Sequence, residues 1–257
     1  IEGSNWSDPW YKWFLNFFTD PYFGRLLKNT FMISGLTILF GFPAPIILAL
    51  MINEVKNSAF KRTVQTITYM PYFISMVVLC GLLKTFCMQD GLFAQVAVLF
   101  GGKAQNYLAN PAYFRTIYVL SDIWSGIGWN SIIYLAALSS IDQEQYEAAR
   151  VDGANRFKQM IHITLPGLVP TIMVLFILRM GNILNVGYEK ILLLYNSATY
   201  STADVISTYT YRLSFGGSGN PMYSKSTAIG LFNTIINVFF LMLTNMISKK
   251  ATDAGLF

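Results

Sequence analysis

EQYEAARVDGANRFKQMIHITLP, residues 144–166, is polar, charged and rich in small residues, yet the segments on either side of it are strongly apolar. A stretch of this kind between two greasy runs reads as a loop at one face of a membrane, so the fold turns on its flanks. Residues 30–52, 63–83 and 226–248 carry no charged side chain, whereas 116–141 carries only Asp122 and 165–188 only Arg179. Crossing a hydrocarbon core takes about 20 apolar residues of helix. Five transmembrane helices are therefore expected in an all-α, polytopic membrane protein. Pro43, Pro45, Pro71 and Pro170 fall inside these runs. Membrane helices tolerate proline where neighbours satisfy the freed backbone groups.

Composition agrees. Of 257 residues, 54% are hydrophobic and 12% charged, against about 25% charged in a typical soluble domain. A soluble fold would need a charged surface that this chain does not supply. The formal charge of +5 gives no reason to expect a nucleic-acid partner, because basic residues also face the cytoplasm in membrane proteins. Cys80 and Cys87 lie in or beside one apolar segment, and His162 is the single histidine. Neither a structural disulfide nor a histidine-based metal site is expected. Gly126 and Gly128 form a GxG without a third glycine or a preceding strand, and no G-x4-G-K-[ST] occurs. Dinucleotide binding and an ATP site are thus unsupported. The chain is expected to bind no cofactor and to be no enzyme.

The connections alternate sides. Residues 53–62, 142–164 and the tail from 249 share one side; 1–24, 87–113 and 189–225 share the other. Lys56, Lys61, Arg62, Arg150, Arg156, Lys158, Lys249 and Lys250 crowd the shorter set, and basic density marks the cytoplasmic face. This places 142–166 and the 251–257 tail in the cytoplasm. Residues 1–24, with NWSDPWYKWFLNFF at 5–18, become an extracytoplasmic aromatic segment suited to a membrane interface. The sequon Asn5-Trp6-Ser7 is read as a chance match. Residues 25–250 form the transmembrane domain.

Within the loop, Asp142 can cap a helix, with Gln145 in the capping-box position and Glu144 in the first turn. Gly153 offers a stop, and Ala149 with Gly153 leaves a smooth face. A second short helix is expected from about Asn155, with Phe157, Met160 and Ile161 as an apolar stripe. Arg156, Lys158, Gln159 and His162 remain for polar contacts, and Pro166 suits the start of the next membrane helix. Two readings fit these features: a solvated hairpin between spans, or a docking element of two short helices.

Spacing separates them. Glu147-Ala148-Ala149, three residues, Gly153, nine residues, Ile163, one residue and Leu165-Pro166 give EAA-x3-G-x9-I-x-L-P. This resembles the EAA loop of permease subunits in bacterial binding-protein-dependent ABC importers. YEAARVDGA at 146–154 is similar to the carbohydrate, maltose-permease-like branch. FGFPAPIILALMINE, VISTYTYRLSF and TAIGLFNTIIN are similar to its LplB-like oligosaccharide subgroup. The resemblance covers 21–250 and implies a type I importer permease fold in a bacterial cell membrane, with one more helix expected ahead of this sequence. It further implies a second, non-identical permease, two ATP-binding subunits that hold ATP and magnesium, and an extracytoplasmic solute-binding protein delivering an oligosaccharide. On this reading Glu147, Ala148, Ala149, Asp152, Gly153, Phe157, Met160, Ile161, Leu165 and Pro166 contact the ATPase.

Polar groups inside a membrane are costly and usually face the bundle interior or a cavity. In maltose-type permeases the outer half of the fifth helix contributes to the sugar site, which matches GNILNVGYEK here. The resemblance thus implies Asn182, Asn185, Tyr188 and Glu189 as substrate-path residues; Asn233 and Asn237 on the last helix are further candidates as polar groups inside the membrane. Plain helix–helix hydrogen bonding is the competing reading for each asparagine. Trp124 and Trp129 could stack on sugar rings or anchor at interfaces. Depth along their helices places Asp122 and Arg179 at similar levels, so an intramembrane ion pair is expected, with water in the translocation cavity or a group on the partner permease as the alternatives for either charge. An ion-coupled secondary transporter would show buried carboxylates in several spans, and here only Asp122 stands deep.

Overall fold

The computed structural model describes residues 9–216, 221–252 and 255–256; the sequon at Asn5 lies outside them, as does part of each terminal segment. Among the described residues every regular element is helical. In chain order the α-helices are α1 Lys12–Phe18, α2 Phe23–Leu36, α3 Pro43–Glu54, α4 Ser58–Tyr69, α5 Met76–Cys87, α6 Leu92–Leu99 and α7 Pro111–Ser139. Then come α8 Gln143–Val151, α9 Arg156–Gln159, α10 Leu165–Met180, α11 Tyr188–Leu194, α12 Tyr200–Ala203, α13 Ile206–Phe215 and α14 Tyr223–Thr252.

Among the described residues, four helical stretches are long and apolar enough to cross a membrane: Phe23–Glu54, Met76–Leu99, Arg156–Met180 and Tyr223–Lys250. Helix α7, with 29 residues, spans roughly 43 Å at 1.5 Å per residue and carries Arg115 and Asp122. Prolines explain where these helices deviate. A π-helical turn at Thr37–Gly41 precedes Pro43, and the Phe42 N–H reaches back five residues to the Thr37 carbonyl (3.1 Å). The extra residue takes up the carbonyl that a proline ring would clash with and cannot bond.

Three expectations need correction. The run 63–83 is not one span. Helix α4 ends at Tyr69, a 3-10 turn covers Met70–Phe73, and α5 restarts where Ser75 Oγ accepts from the Val78 N–H. Pro71 can neither donate to the preceding turn nor fit against its carbonyl, so the helix breaks there. The second short helix of the loop is likewise not separate. Helix α9 continues through a π-helical turn at Met160–Thr164 into α10, because that turn accommodates Pro166 within a helix that Asn155 has already started. The fifth apolar run also stops early, at Met180, where the Gly181 N–H closes on the Ile177 carbonyl (2.9 Å).

The chain divides into two compact units, 1–36 with 75–119 and 182–239, and 37–74 with 120–181 and 240–257. The first is built on Phe17, Leu26, Ile206 and Ile229, with Phe17 meeting Phe23 edge-on at 5.0 Å. In the second, Ala49, Tyr134, Leu138 and Leu168 form the core. There Gly128 lets α7 press against α4: a Cβ at this position would stand 2.1 Å from the Thr68 carbonyl oxygen. The GxG pair thus serves helix packing at Gly128. Outward-facing Leu39, Ile47, Met51, Ile67, Ile235 and Met242 suit a surface covered by lipid or protein.

Candidate functional site

The EAA loop is a capped helix, a glycine turn and a second capped helix. Asp142 Oδ1 accepts from the Glu144 N–H at 3.0 Å, while Gln145 does not complete the expected capping box. Helix α8 ends at Gly153 with φ +75°. The Gly153 N–H bonds the Arg150 carbonyl (3.1 Å) and the Ala154 N–H bonds the Ala149 carbonyl (2.8 Å). These are the paired bonds of a Schellman turn, whose left-handed position favours glycine. Asn155 Oδ1 then accepts from the Lys158 N–H (2.9 Å) and starts α9.

Two contacts hold the loop in place. The Tyr146 and Thr164 hydroxyls bond at 3.0 Å, tying α8 to the foot of α10. Arg156 donates to Glu54 at 3.1 Å, joining the loop to the end of α3. Glu147, Ala148, Asp152, Gly153, Ile161, Leu165 and Pro166 are exposed, and Ala149 and Met160 are half-buried. Val151 is 88% exposed and Phe157 64%. Two large apolar side chains therefore stand uncovered on either side of the rigid turn, at a cost that a partner surface would remove.

The residues proposed for the substrate path divide into two groups. Asn182, Asn185, Tyr188 and Glu189 lie where α10 has ended and α11 begins, and all four are exposed. Asn185 Nδ2 donates to Asn182 Oδ1 (3.1 Å), and the Tyr188 hydroxyl to Glu189 (3.4 Å). The Tyr188 ring stacks on Tyr211 with centroids 5.6 Å apart. Asn237 differs: it is buried, and its Oδ1 accepts the Leu184 backbone N–H at 3.0 Å. Its Oδ1 thus serves the broken backbone after α10, which is a structural task. Asn233 is half-buried with its Oδ1 enclosed and without a hydrogen-bond partner.

The expected Asp122–Arg179 ion pair is absent among the described residues. Arg179 is exposed and sits in the last turn of α10, where the C-terminal carbonyls favour a cation without a carboxylate.

The sequence reading missed a charged network that organises the first unit. Asp204 is fully buried and takes Arg212 Nη1 and Nη2 on its two oxygens, each at 2.8 Å, Arg25 at 3.4 Å and the Thr208 hydroxyl at 2.8 Å. Burial works to lower the Arg212 pKa, but the paired Asp204 carboxylate outweighs it and raises it. Asn29 donates to the Asp204 carbonyl (2.9 Å) and accepts from Arg115 (2.8 Å). Lys190, also buried, donates to the Tyr118 carbonyl (3.1 Å). A second cluster joins Asp20 to Lys225 (2.8 Å) and to the Tyr209 hydroxyl (2.6 Å). Burial pushes the Asp20 pKa up, yet the bonds from Lys225, Tyr209 and the Tyr22 N–H bring it below the usual carboxylate range. One signal for the first cluster was available: Asp204, Thr208 and Arg212 recur every four residues, a helix-face spacing. Among the described residues no group of three His, Cys, Asp or Glu is placed to hold a metal ion.

Comparison with known proteins gives this architecture a family. Residues 41–253 match the model of the binding-protein-dependent transport system inner membrane component. Protein LplB of Bacillus subtilis (strain 168) is 42% identical over 255 residues, covering 98% of this chain and 79% of that protein. The polygalacturonan/rhamnogalacturonan transport system permease protein YteP of the same strain is 41% identical over 258 residues, covering 100% and 79%. A chain in the crystal structure of a bacterial ABC transporter that imports the acidic polysaccharide alginate superposes with a TM-score of 0.91 at 45% identity, covering 96% of this chain and 86% of that one. A match over most of the sequence, close relatives along its whole length and a shared fold lead to one conclusion: the chain belongs to the binding-protein-dependent inner membrane components, the non-enzymatic permease subunits of ABC importers.

Proposed function

We propose that this permease forms half of the path for an acidic oligosaccharide and takes its driving force from ATPases seated on the 142–166 loop. The exposed Val151 and Phe157 on either side of the Gly153 turn carry the coupling half of this reading. A rigid projection with an apolar tip can enter a groove on a moving partner and pass that motion to α8 and α10. In this arrangement the loop is cytoplasmic, two ATP-binding subunits lie beneath it, and a second, non-identical permease completes the path. The YteP relative is named for polygalacturonan/rhamnogalacturonan transport, the matching solved importer is involved in import of the acidic polysaccharide alginate, and a bacterial alginate transporter has been crystallised with an alginate pentasaccharide-bound periplasmic protein.

Charge supports the substrate class. In the sequence of the first unit, nine cations stand against six carboxylates, Glu2, Asp8, Asp20, Asp90, Glu189 and Asp204. That unit holds the segments assigned to the extracytoplasmic side, where basic residues are otherwise sparse. A surplus of positive charge there concentrates an anionic sugar near the path. Asn182, Asn185, Tyr188 and Glu189 offer hydrogen bonds and an aromatic face to it, with the Tyr188–Tyr211 stack as a platform. Uptake of labelled uronate oligosaccharides into proteoliposomes carrying the complete importer tests this reading. ATP-dependent uptake that needs the binding protein and prefers uronates to neutral oligosaccharides of equal length is the expected result.

A further inference from the structure

Within the second unit a cleft of about 670 Å³ opens between residues 53–56, α8 and the start of the Arg156–Met180 helix. Its size falls in the range of small-ligand sites, about 300–1,000 Å³. Lys56, Arg150 and Arg156 line it with a single carboxylate, Glu54, and the buried Leu138. That carboxylate is engaged by Arg156 at 3.1 Å. Lys56 and Arg150 make no ion pair among the described residues, so two cations face one cleft uncompensated. Two lining amides are also committed to the chain itself: Asn155 caps α9, and Gln159 donates to the Ala154 carbonyl at 2.8 Å. The amides of Asn53 and Gln143 remain beside the cations as donors.

We propose that this cleft binds a phosphate group, which pins the coupling loop to the end of α3. Arginine and lysine donors around a small polar cleft are the chemistry that recognises phosphate oxygens. An anion held by both Lys56 and Arg150 adds a second tie beside Arg156–Glu54. Movement of α8 then reaches α3 as well as α10. The proposal rests on the reading of 142–166 as a cytoplasmic coupling loop. On the cytoplasmic side the phosphate comes either from an anionic phospholipid of the inner leaflet or from free phosphate in the cytoplasm.

The test uses the complete importer in nanodiscs of pure phosphatidylcholine or of phosphatidylcholine with phosphatidylglycerol. Native mass spectrometry reads retained phosphatidylglycerol, and ADP release reads substrate-stimulated hydrolysis. A separate arm titrates inorganic phosphate into the phosphatidylcholine discs. A gain in stimulation of about fivefold or more, the size of an ordinary coupling between sites, is expected from one of the two sources. Lys56→Gln and Arg150→Gln should lose that gain, and Lys56→Arg should restore it, at unchanged thermal midpoints. A gain from phosphatidylglycerol with lipid retained assigns the headgroup; a gain from inorganic phosphate alone assigns the free anion. The proposal is overturned when neither source acts on the wild type, or when Lys56→Gln and Arg150→Gln respond as the wild type does. Phosphatidylglycerol retention by a Gly153→Asp importer does not depend on coupling, so failure of the coupling reading and failure of this proposal give different results.

Discussion

Arg212 grips both carboxylate oxygens of Asp204, each at 2.8 Å, where Asp204 has no exposure to solvent. Removing one partner strands a buried charge, which costs about 3–5 kcal/mol when nothing replaces it. Arg25 remains 3.4 Å away, so Arg212→Ala is expected near the lower end of that range. Thermal unfolding of the detergent-solubilised importer should show a large drop for Arg212→Ala and a smaller one for the Asp204→Asn/Arg212→Gln double variant. Equal midpoints for Arg212→Ala and wild type would remove the network from the account of the fold.

The Asp20 cluster makes stability depend on pH. With its folded pKa below the unfolded value of about 3.9, Asp20 contributes stability that is fully present above that value. The contribution disappears as pH falls through the lower, folded pKa. Asp20→Asn should therefore lower the melting temperature at neutral pH and flatten its fall on acidification below about pH 4. An unchanged acid profile in this variant would contradict the assignment.

Close packing at Gly128 predicts a steric penalty. A methyl group would meet the Thr68 carbonyl oxygen at 2.1 Å, so α4 and α7 must part. Gly128→Ala is expected to cost about 1–3 kcal/mol, as overpacking does, whereas Gly35→Ala, with open space around its Cβ, should cost little. Comparable melting curves for the two variants would show that the helices do not meet as described.

Substrate-path and structural asparagines should separate in assays. Asn237→Ala leaves the buried Leu184 N–H without its acceptor, a loss of about 1–3 kcal/mol, and should reduce stability and yield. Asn185→Ala and Tyr188→Ala touch exposed groups and should weaken substrate-stimulated ATP hydrolysis, with a higher half-maximal oligosaccharide concentration at an unchanged melting temperature. A stability loss at Tyr188 equal to that at Asn237 would place it in the scaffold.

The legible parts of this protein were those with short-range signals. Helix identity, the Asp142 cap, the Gly153 turn and the EAA spacing all follow from residues within a few positions of one another. Hydropathy located the apolar runs but not their breaks. At Pro71 it averaged over a helix, a turn and a new helix, and near Gly181 it ran on to Tyr188 past the end of α10. Pairings across long sequence separations stayed hidden. Asp20 with Lys225, Arg25 with Asp204 and Asn29 with Arg115 join residues whose proximity only the fold creates. Arg179 shows the opposite error, since equal depth along two helices says nothing of which faces meet.

Coupling through the loop is the central claim, and Gly153 is its most sensitive point. Among the described residues, its two chain neighbours aside, nothing lies within 4 Å of a Cβ at Gly153, so a substitution there meets no described side chain. It does impose a side chain on φ +75°, which costs most L-residues about 1–2 kcal/mol, and it places that side chain on the face offered to a partner. Asparagine tolerates the left-handed region, so Gly153→Asn keeps the backbone and alters the surface, while Gly153→Asp adds a charge. The deciding measurement is binding-protein- and substrate-stimulated ATP hydrolysis, with uptake, by reconstituted importers carrying Gly153, Gly153→Asn or Gly153→Asp. The account predicts that both variants insert and assemble but lose stimulation and uptake, Gly153→Asp most completely. Normal stimulated hydrolysis and uptake by Gly153→Asp would contradict it.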